Sequence, residues 1–193
     1  MNPAKEFFDK LAPSWDSRQT KEEGEILPLL KKIGIKGGDR VLDLACGTAT
    51  ITSLLHSLGA SEVLGLDISD EMIKIAKEKL GSMPWVSFRV GDFLESDFHE
   101  EFDVIVLYNA YPHFLEPEKL AKRFYASLKK GGKFAIVHSL GRKELDSHHA
   151  AIASKVSRSL DPVEEEAKRF DSFFHIEEAA EGEHFFFLAG SKI

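Results

Sequence analysis

Asp43 and Asp67, each closing an apolar run, are the residues best placed to do chemistry. Asp43 lies inside "VLDLACGTAT" (41 to 50) and Asp67 ends "SEVLGLD" (61 to 67). Between them is a turn in which Gly47 allows close backbone approach. A glycine loop that cradles phosphate avoids fixed negative charge, so an acid beside it calls for a ligand whose near end is cationic or donates hydrogen bonds. A dinucleotide loop reads G-x-G-x-x-G. Here the window is Ala45, Cys46, Gly47, Thr48, Ala49, Thr50, and only the middle glycine is present. The Gly-Lys-Ser or Gly-Lys-Thr of a Walker loop is absent. Asp67 follows Gly47 at the spacing expected of an acid that accepts from ribose hydroxyls.

These acids need strand ends to hold them, and the pattern supplies strands. "RVLDLA" (40 to 45), "SEVLGLDIS" (61 to 69), "WVSFRVGD" (85 to 92), "FDVIVLYNA" (102 to 110) and "KFAIVHS" read as five strands, with helical spacing between them. "TATITSLLHSLG" stops at Gly59, and "SDEMIKIAKEKLG" has Ser69 and Asp70 as candidate caps and Gly81 as its stop. "EPEKLAKRFYASLKKGG" closes on Gly131 and Gly132, and "DPVEEEAKRF" opens on Pro162. Alternation of this kind predicts an α/β fold, a Rossmann-like, doubly wound, mostly parallel sheet of seven strands. The last two, "SFFHIEEA" and "EHFFFLAGSKI", leave room only for an "AAEGE" turn and should form an antiparallel hairpin. The stretches "PAKEFFDKLA" and "KEEGEILPLLKKIG" should cap the sheet or its ligand. At 193 residues the chain is expected to be a single domain, with a helical cap over 1–38 and a Rossmann-like core over 39–193.

The strand, Asp43 and "ACGTA" together resemble the first motif of class I S-adenosylmethionine-dependent methyltransferases, D-L-G-C-G-T-G, with Ala45 and Ala49 in place of two family glycines. S-adenosylmethionine carries an ammonium and a sulfonium, which answers the electrostatic question raised by Asp43. The resemblance implies that Asp43, Ala45, Cys46, Gly47 and Thr48 line the cofactor's amino-acid end, with Cys46 as a packing residue. It also implies that Asp67 takes the ribose and that Ile68 and Met72 form the floor under adenine. Asp92 with Phe93 is similar to the family's adenine-edge motif. Asn109, at the end of "DVIVLYNAYPHF", stands where the family places residues near the methyl group. The N-P-P-Y pattern of amide and adenine methylation fails here, because Ala110, Tyr111 and Pro112 replace its last three residues. "EFFDKLAPSWD" resembles the F-D-x-x-A-x-x-Y-D opening of quinone and related small-molecule methyltransferases, a segment that folds over the cofactor, with Trp15 in place of the tyrosine.

The resemblance also frames the histidines. His113 follows the fourth strand, His138 ends the fifth, and His148 and His149 come soon after. Three readings are open: a polar rim, a proton acceptor for the methyl acceptor, or a metal site, which no H-x-x-H or H-E-x-x-H spacing supports. His113 and His138, with Tyr111 and His148, are the candidate catalytic residues. His56, His99, His175 and His184 read as surface or packing residues. The stretch from Ser139 to Asp161 matches no motif.

The expected activity is methyl transfer to a small-molecule acceptor. The alternative is a non-catalytic S-adenosylmethionine-binding sensor, and a nicotinamide oxidoreductase is disfavoured by Asp43 and the missing third loop glycine. A net charge of −7 disfavours a broad nucleic-acid footprint. No apolar run approaches membrane-span length. The lone Cys46 excludes an internal disulfide and fits a reducing cytoplasm. Oligomeric state has no signature in the sequence.

Overall fold

The computed structural model describes residues 2–18, 23–152 and 156–193, with the side chains of 148–152 outside that description. The chain divides into two compact units, Met1–Asp97 and Phe98–Ile193.

In the first unit, β1 (Arg40–Leu44), β2 (Glu62–Asp67) and β3 (Val86–Val90) run parallel in the order β3-β2-β1. Asp43 pairs with Gly65, and Asp67 with Val90, so the ends of the three strands are brought level. Helices α1 (Pro3–Leu11) and α2 (Glu23–Lys31) precede the sheet, and α3 (Thr52–Ser57) and α4 (Asp70–Leu80) connect its strands. The start of α4 follows from its sequence. The Ser69 hydroxyl accepts from the Met72 N–H at 3.1 Å, acids fill the first turn and lysines the last, as the helix dipole favours. Its apolar positions Met72, Ile73 and Ala76 are buried, along with Val41, Leu42, Leu55, Val63 and Leu66.

In the second unit, β4 (Phe102–Tyr108) runs parallel to β5 (Leu128–His138). β5 pairs antiparallel with β7 (Phe185–Lys192), which pairs antiparallel with β6 (Phe174–Gly182). Helices α5 (Pro117–Ser127), α6 (Arg142–Ile152) and α7 (Val163–Lys168) complete it. The seven strands follow the order β3-β2-β1 in the first unit and β4-β5-β7-β6 in the second, the mixed pairing with a C-terminal hairpin that the pattern predicted.

Two boundaries depart from expectation. The helix before β5 ends at Ser127, and the strand is already paired at Leu128. Pairing then jumps from Phe102↔Leu128 to Val104↔Lys133, leaving a bulge that holds both glycines. Gly131 sits at φ 72, and a Cβ on Gly132 would meet the Lys129 and Asp103 carbonyls at 2.9 and 3.1 Å. The glycines therefore serve a strand bulge and not a helix stop. The hairpin also turns later than expected, because Ala179, Ala180 and Glu181 stay paired with Leu188, Phe187 and Phe186. The unassigned stretch after Ser139 contains α6. No helix among the described residues is long and apolar enough to cross a membrane.

Candidate cofactor site

The loop after β1 alternates into the left-handed region, at Ala45 (φ 55), Gly47 (φ 54) and Ala49 (φ 67). Each alanine there costs about 1 kcal/mol that glycine would avoid. The fold holds the loop by bonds from outside it. The Cys46 N–H donates to the Leu66 carbonyl at 3.1 Å, and the Gly47 N–H donates to Asp67 Oδ2 at 2.9 Å. Asp67 Oδ1 accepts from the Ser69 N–H at 2.9 Å. One carboxylate thus ties the β1 loop to the start of α4, and it keeps lone pairs for a further donor.

Asp43 is 1% exposed and accepts from the Thr52 hydroxyl at 2.6 Å. Burial pushes its carboxyl up to about 7, against the Thr52 bond, and the nearby Asp67 charge adds to the rise. Burial likewise pushes Asp67 up to about 6, opposed by the amides of Ser69, Gly47 and Ile68. Among the described residues neither acid has a Lys or Arg partner; their donors are a hydroxyl and backbone amides. Two buried acids short of positive charge make a site that a cation would relieve.

Cys46 is buried with its sulfur turned toward Gly65, where a Cβ would stand 3.0 Å away. Burial and then the two acids hold the thiol well above its usual range, so it packs and does not react. Thr48 is fully buried and donates its hydroxyl to Asp16 at 2.6 Å. The Trp15 indole lies over Gly47, its nitrogen 3.3 Å from where a Cβ would sit, and packs edge-on against Phe8 at 5.9 Å. Met72 is buried in the first turn of α4 and Ile68 is part-exposed. Asp92 caps the turn Phe93–Glu95, accepting from the Leu94 N–H at 2.9 Å, and Phe93 is buried. The structure therefore groups Trp15, Gly47, Thr48 and Asp67 directly. It adds Asp9, Asp16, Thr52 and Lys79, to which the motifs gave no role. The only trace of the two acids in the sequence is their place in "FDKLAPSWD".

In the second unit Asn109 adopts φ 52, a conformation asparagine tolerates. Its amide donates to the Ser139 hydroxyl at 3.0 Å and its oxygen accepts from the Ser139 N–H at 2.9 Å, locking the ends of β4 and β5 together. Tyr111 is fully buried and donates its hydroxyl to Glu166 at 2.7 Å. Arg158 binds both Glu166 oxygens, at 2.7 and 3.0 Å, and its guanidinium lies 4.7 Å from the Tyr111 ring centre. Burial, then the Glu166 charge, drive the Tyr111 hydroxyl far upward, which suits a strut more than a proton acceptor. His113 Nδ1 lies 3.0 Å from the Val156 carbonyl. His138 is fully buried, edge-on to Phe186 at 5.9 Å, and Phe186 also packs on Tyr111. His148 lies in α6 with its side chain outside the described residues. Among the described residues no group of three or more His, Cys, Asp or Glu is placed to hold a metal ion.

The family described as Methyltransferase domain matches residues 41–132, the segment that contains the loop and both acids. Over that segment the chain is similar to a methyltransferase domain, and its relatives and fold neighbours include S-adenosylmethionine-dependent methyltransferases. The domain is 26% identical over 145 residues to demethylmenaquinone methyltransferase of Lactobacillus johnsonii, covering 69% of this chain and 59% of that protein. It spans less than two thirds of the length of such curated relatives. A chain from the Haloferax volcanii complex between the Trm112 methyltransferase activator and a methyltransferase superposes with a TM-score of 0.85 at 19% identity, covering 97% of this chain and 96% of that one. Phosphoethanolamine N-methyltransferase 2 of Haemonchus contortus, solved with S-adenosyl-L-methionine, gives 0.78 at 20% identity, covering 100% of this chain and 60% of that one. At these identities the two structures establish the fold of the methyltransferase domain.

Proposed function

We propose that this chain binds S-adenosylmethionine at the Gly47 loop and transfers its methyl group to a small-molecule acceptor. The observation that carries the reading is the pair of buried acids, Asp43 and Asp67, with amide and hydroxyl donors and no cationic partner among the described residues. That donor set fits a ligand bearing an ammonium, a sulfonium and a ribose diol. Asp67 and the Gly47 backbone would hold the ribose and amino-acid portions, Asp43 would balance the positive charge, and Ile68, Met72, Asp92 and Phe93 would hold the adenine. When bound, the cofactor supplies an electrophilic methyl carbon open to in-line displacement. The chain's own contribution is alignment and exclusion of water, the latter by Trp15 over the loop. Where the acceptor must lose a proton, His113 or His138 accepts it, with His148 a secondary candidate; Tyr111, first read as a catalytic candidate, serves as a strut, and Asn109 fixes the strand ends that carry the first two. The single cysteine supports a cytoplasmic setting.

The test is transfer from methyl-labelled S-adenosylmethionine to a panel of acceptors drawn from the relatives: a demethylated naphthoquinol, a sterol and an aminoalcohol phosphate. A labelled small product is the expected result. Substituting His113→Ala or His138→Ala should lower turnover roughly 10²-fold while cofactor affinity stays within about three-fold, because a base acts on the acceptor. Tight binding of S-adenosylhomocysteine with no transfer to any acceptor of the panel would favour the sensor alternative instead.

A further inference from the structure

We propose that Asp9 and Asp16 form a charged latch that holds residues 3–18 on the cofactor loop and sets how long the cofactor and its product stay bound. The inference rests on the reading of the Gly47 loop as the cofactor seat. α1 buries none of its residues fully, and Phe7, Phe8 and Trp15 are all part-exposed. Apolar burial in this segment is completed only at Ala12, and polar contacts supply the rest of its fastening.

Those contacts converge on two points. Asp16 Oδ1 accepts from the Thr48 hydroxyl at 2.6 Å, and Asp16 Oδ2 is 2.6 Å from Lys79 Nζ. Lys79 also donates to the Thr48 carbonyl at 3.1 Å, so one lysine of α4 clamps the acid and the loop together. Asp9 Oδ1 accepts from the Ser69 hydroxyl at 2.6 Å, and Lys5 pairs with Asp9 and with Asp70. The receiving residues are not arbitrary. Thr48 follows Gly47, and the Ser69 N–H is the group that holds Asp67. Trp15, between the two acids in sequence, covers Gly47. Each landing point is thus one bond from a residue that would touch the ligand. Both acids are held below the usual carboxylate range, Asp9 by Lys5 and Ser69 and Asp16 by Lys79 and Thr48, in each case against the cost of burial, so the latch stays ionised at neutral pH. Asp9 and Asp16 act through the segment they hold and are positioning residues.

The experiment follows dissociation of S-adenosylhomocysteine by stopped-flow displacement from the full chain and from Asp9→Asn/Asp16→Asn. The double variant should release ligand roughly 10-fold faster or more, as expected for loss of charge-assisted bonds. Raising salt from about 0.05 to about 0.5 M should speed release from the parent chain and leave the variant nearly unchanged. A purely structural role would lower the melting temperature without removing that salt dependence. Should the double variant not fold, Lys79→Gln removes the same charge from the opposite side and carries the same expectation. Equal release rates with equal salt dependence overturn the latch. Absence of any S-adenosylhomocysteine binding by the parent chain overturns instead the reading of the seat.

Discussion

At the scale of the residue, Asp43 and Asp67 make the site sensitive to pH, and the direction follows from burial. Both carboxyls lie above their ordinary range, near 7 and 6. The folded chain thus binds their protons more tightly than the unfolded chain. The stability they contribute is complete below about pH 4 and is lost as pH rises through 6 and then 7. Asp43→Asn should therefore raise stability by roughly 1–3 kcal/mol more at about pH 8 than at about pH 4. Denaturant melts at the two pH values measure this, and a gain independent of pH would show that Asp43 does not titrate in that window. The ammonium and sulfonium of S-adenosylmethionine favour the ionised acids, so affinity for S-adenosylmethionine should increase over the same rise in pH. Asp43 and Asp67 were legible in the sequence because an acid at the end of an apolar strand is conspicuous. The strain at Ala45 and Ala49 was not, since a change from glycine to alanine looks slight until the backbone angle is known.

At the scale of the element, the segment 156–166 is fastened to the turn Tyr111–His113 through Glu166. That carboxylate takes the Tyr111 hydroxyl, both Arg158 contacts and the Asp161 N–H. The Arg158 N–H reaches the Pro112 carbonyl at 2.9 Å and its Nε the Phe114 carbonyl at 3.2 Å. Glu166→Ala leaves a half-buried guanidinium and a buried hydroxyl without their shared partner, and should cost roughly 3–5 kcal/mol. Urea unfolding reads this directly, and a loss under about 1 kcal/mol would show that the hub is dispensable. Glu166 sits in a run of three glutamates, of which Glu164 and Glu165 are exposed. The helical stripe Val163, Glu166, Ala167, Phe170 places it inward, so its burial was available from periodicity, but its partners, fixed by the fold far along the chain, were not. Element order and type were legible throughout the sheet. The start of β5 and the hairpin turn were misplaced, because glycines and short polar residues mark bulges as well as ends.

At the scale of the whole molecule, the sequence carries the superfamily clearly and the acceptor faintly. The cofactor motifs are short and sit at strand ends, where the sheet alone positions them. No such motif marks an acceptor, and the stretch from Ser139 to Asp161, which holds α6, matches none. One feature of the first unit offers a clock for the folded state. Cys46 is the only thiol in the chain and lies buried against Gly65. A neutral maleimide can reach it only when the sheet opens, so the alkylation rate reports the population of opened molecules. Ligand that binds the closed form must slow that reaction by the factor one plus its concentration over its Kd. Mass spectrometry of a single adduct would then weigh any candidate ligand of this domain without an acceptor, a label on the ligand or an assay of turnover.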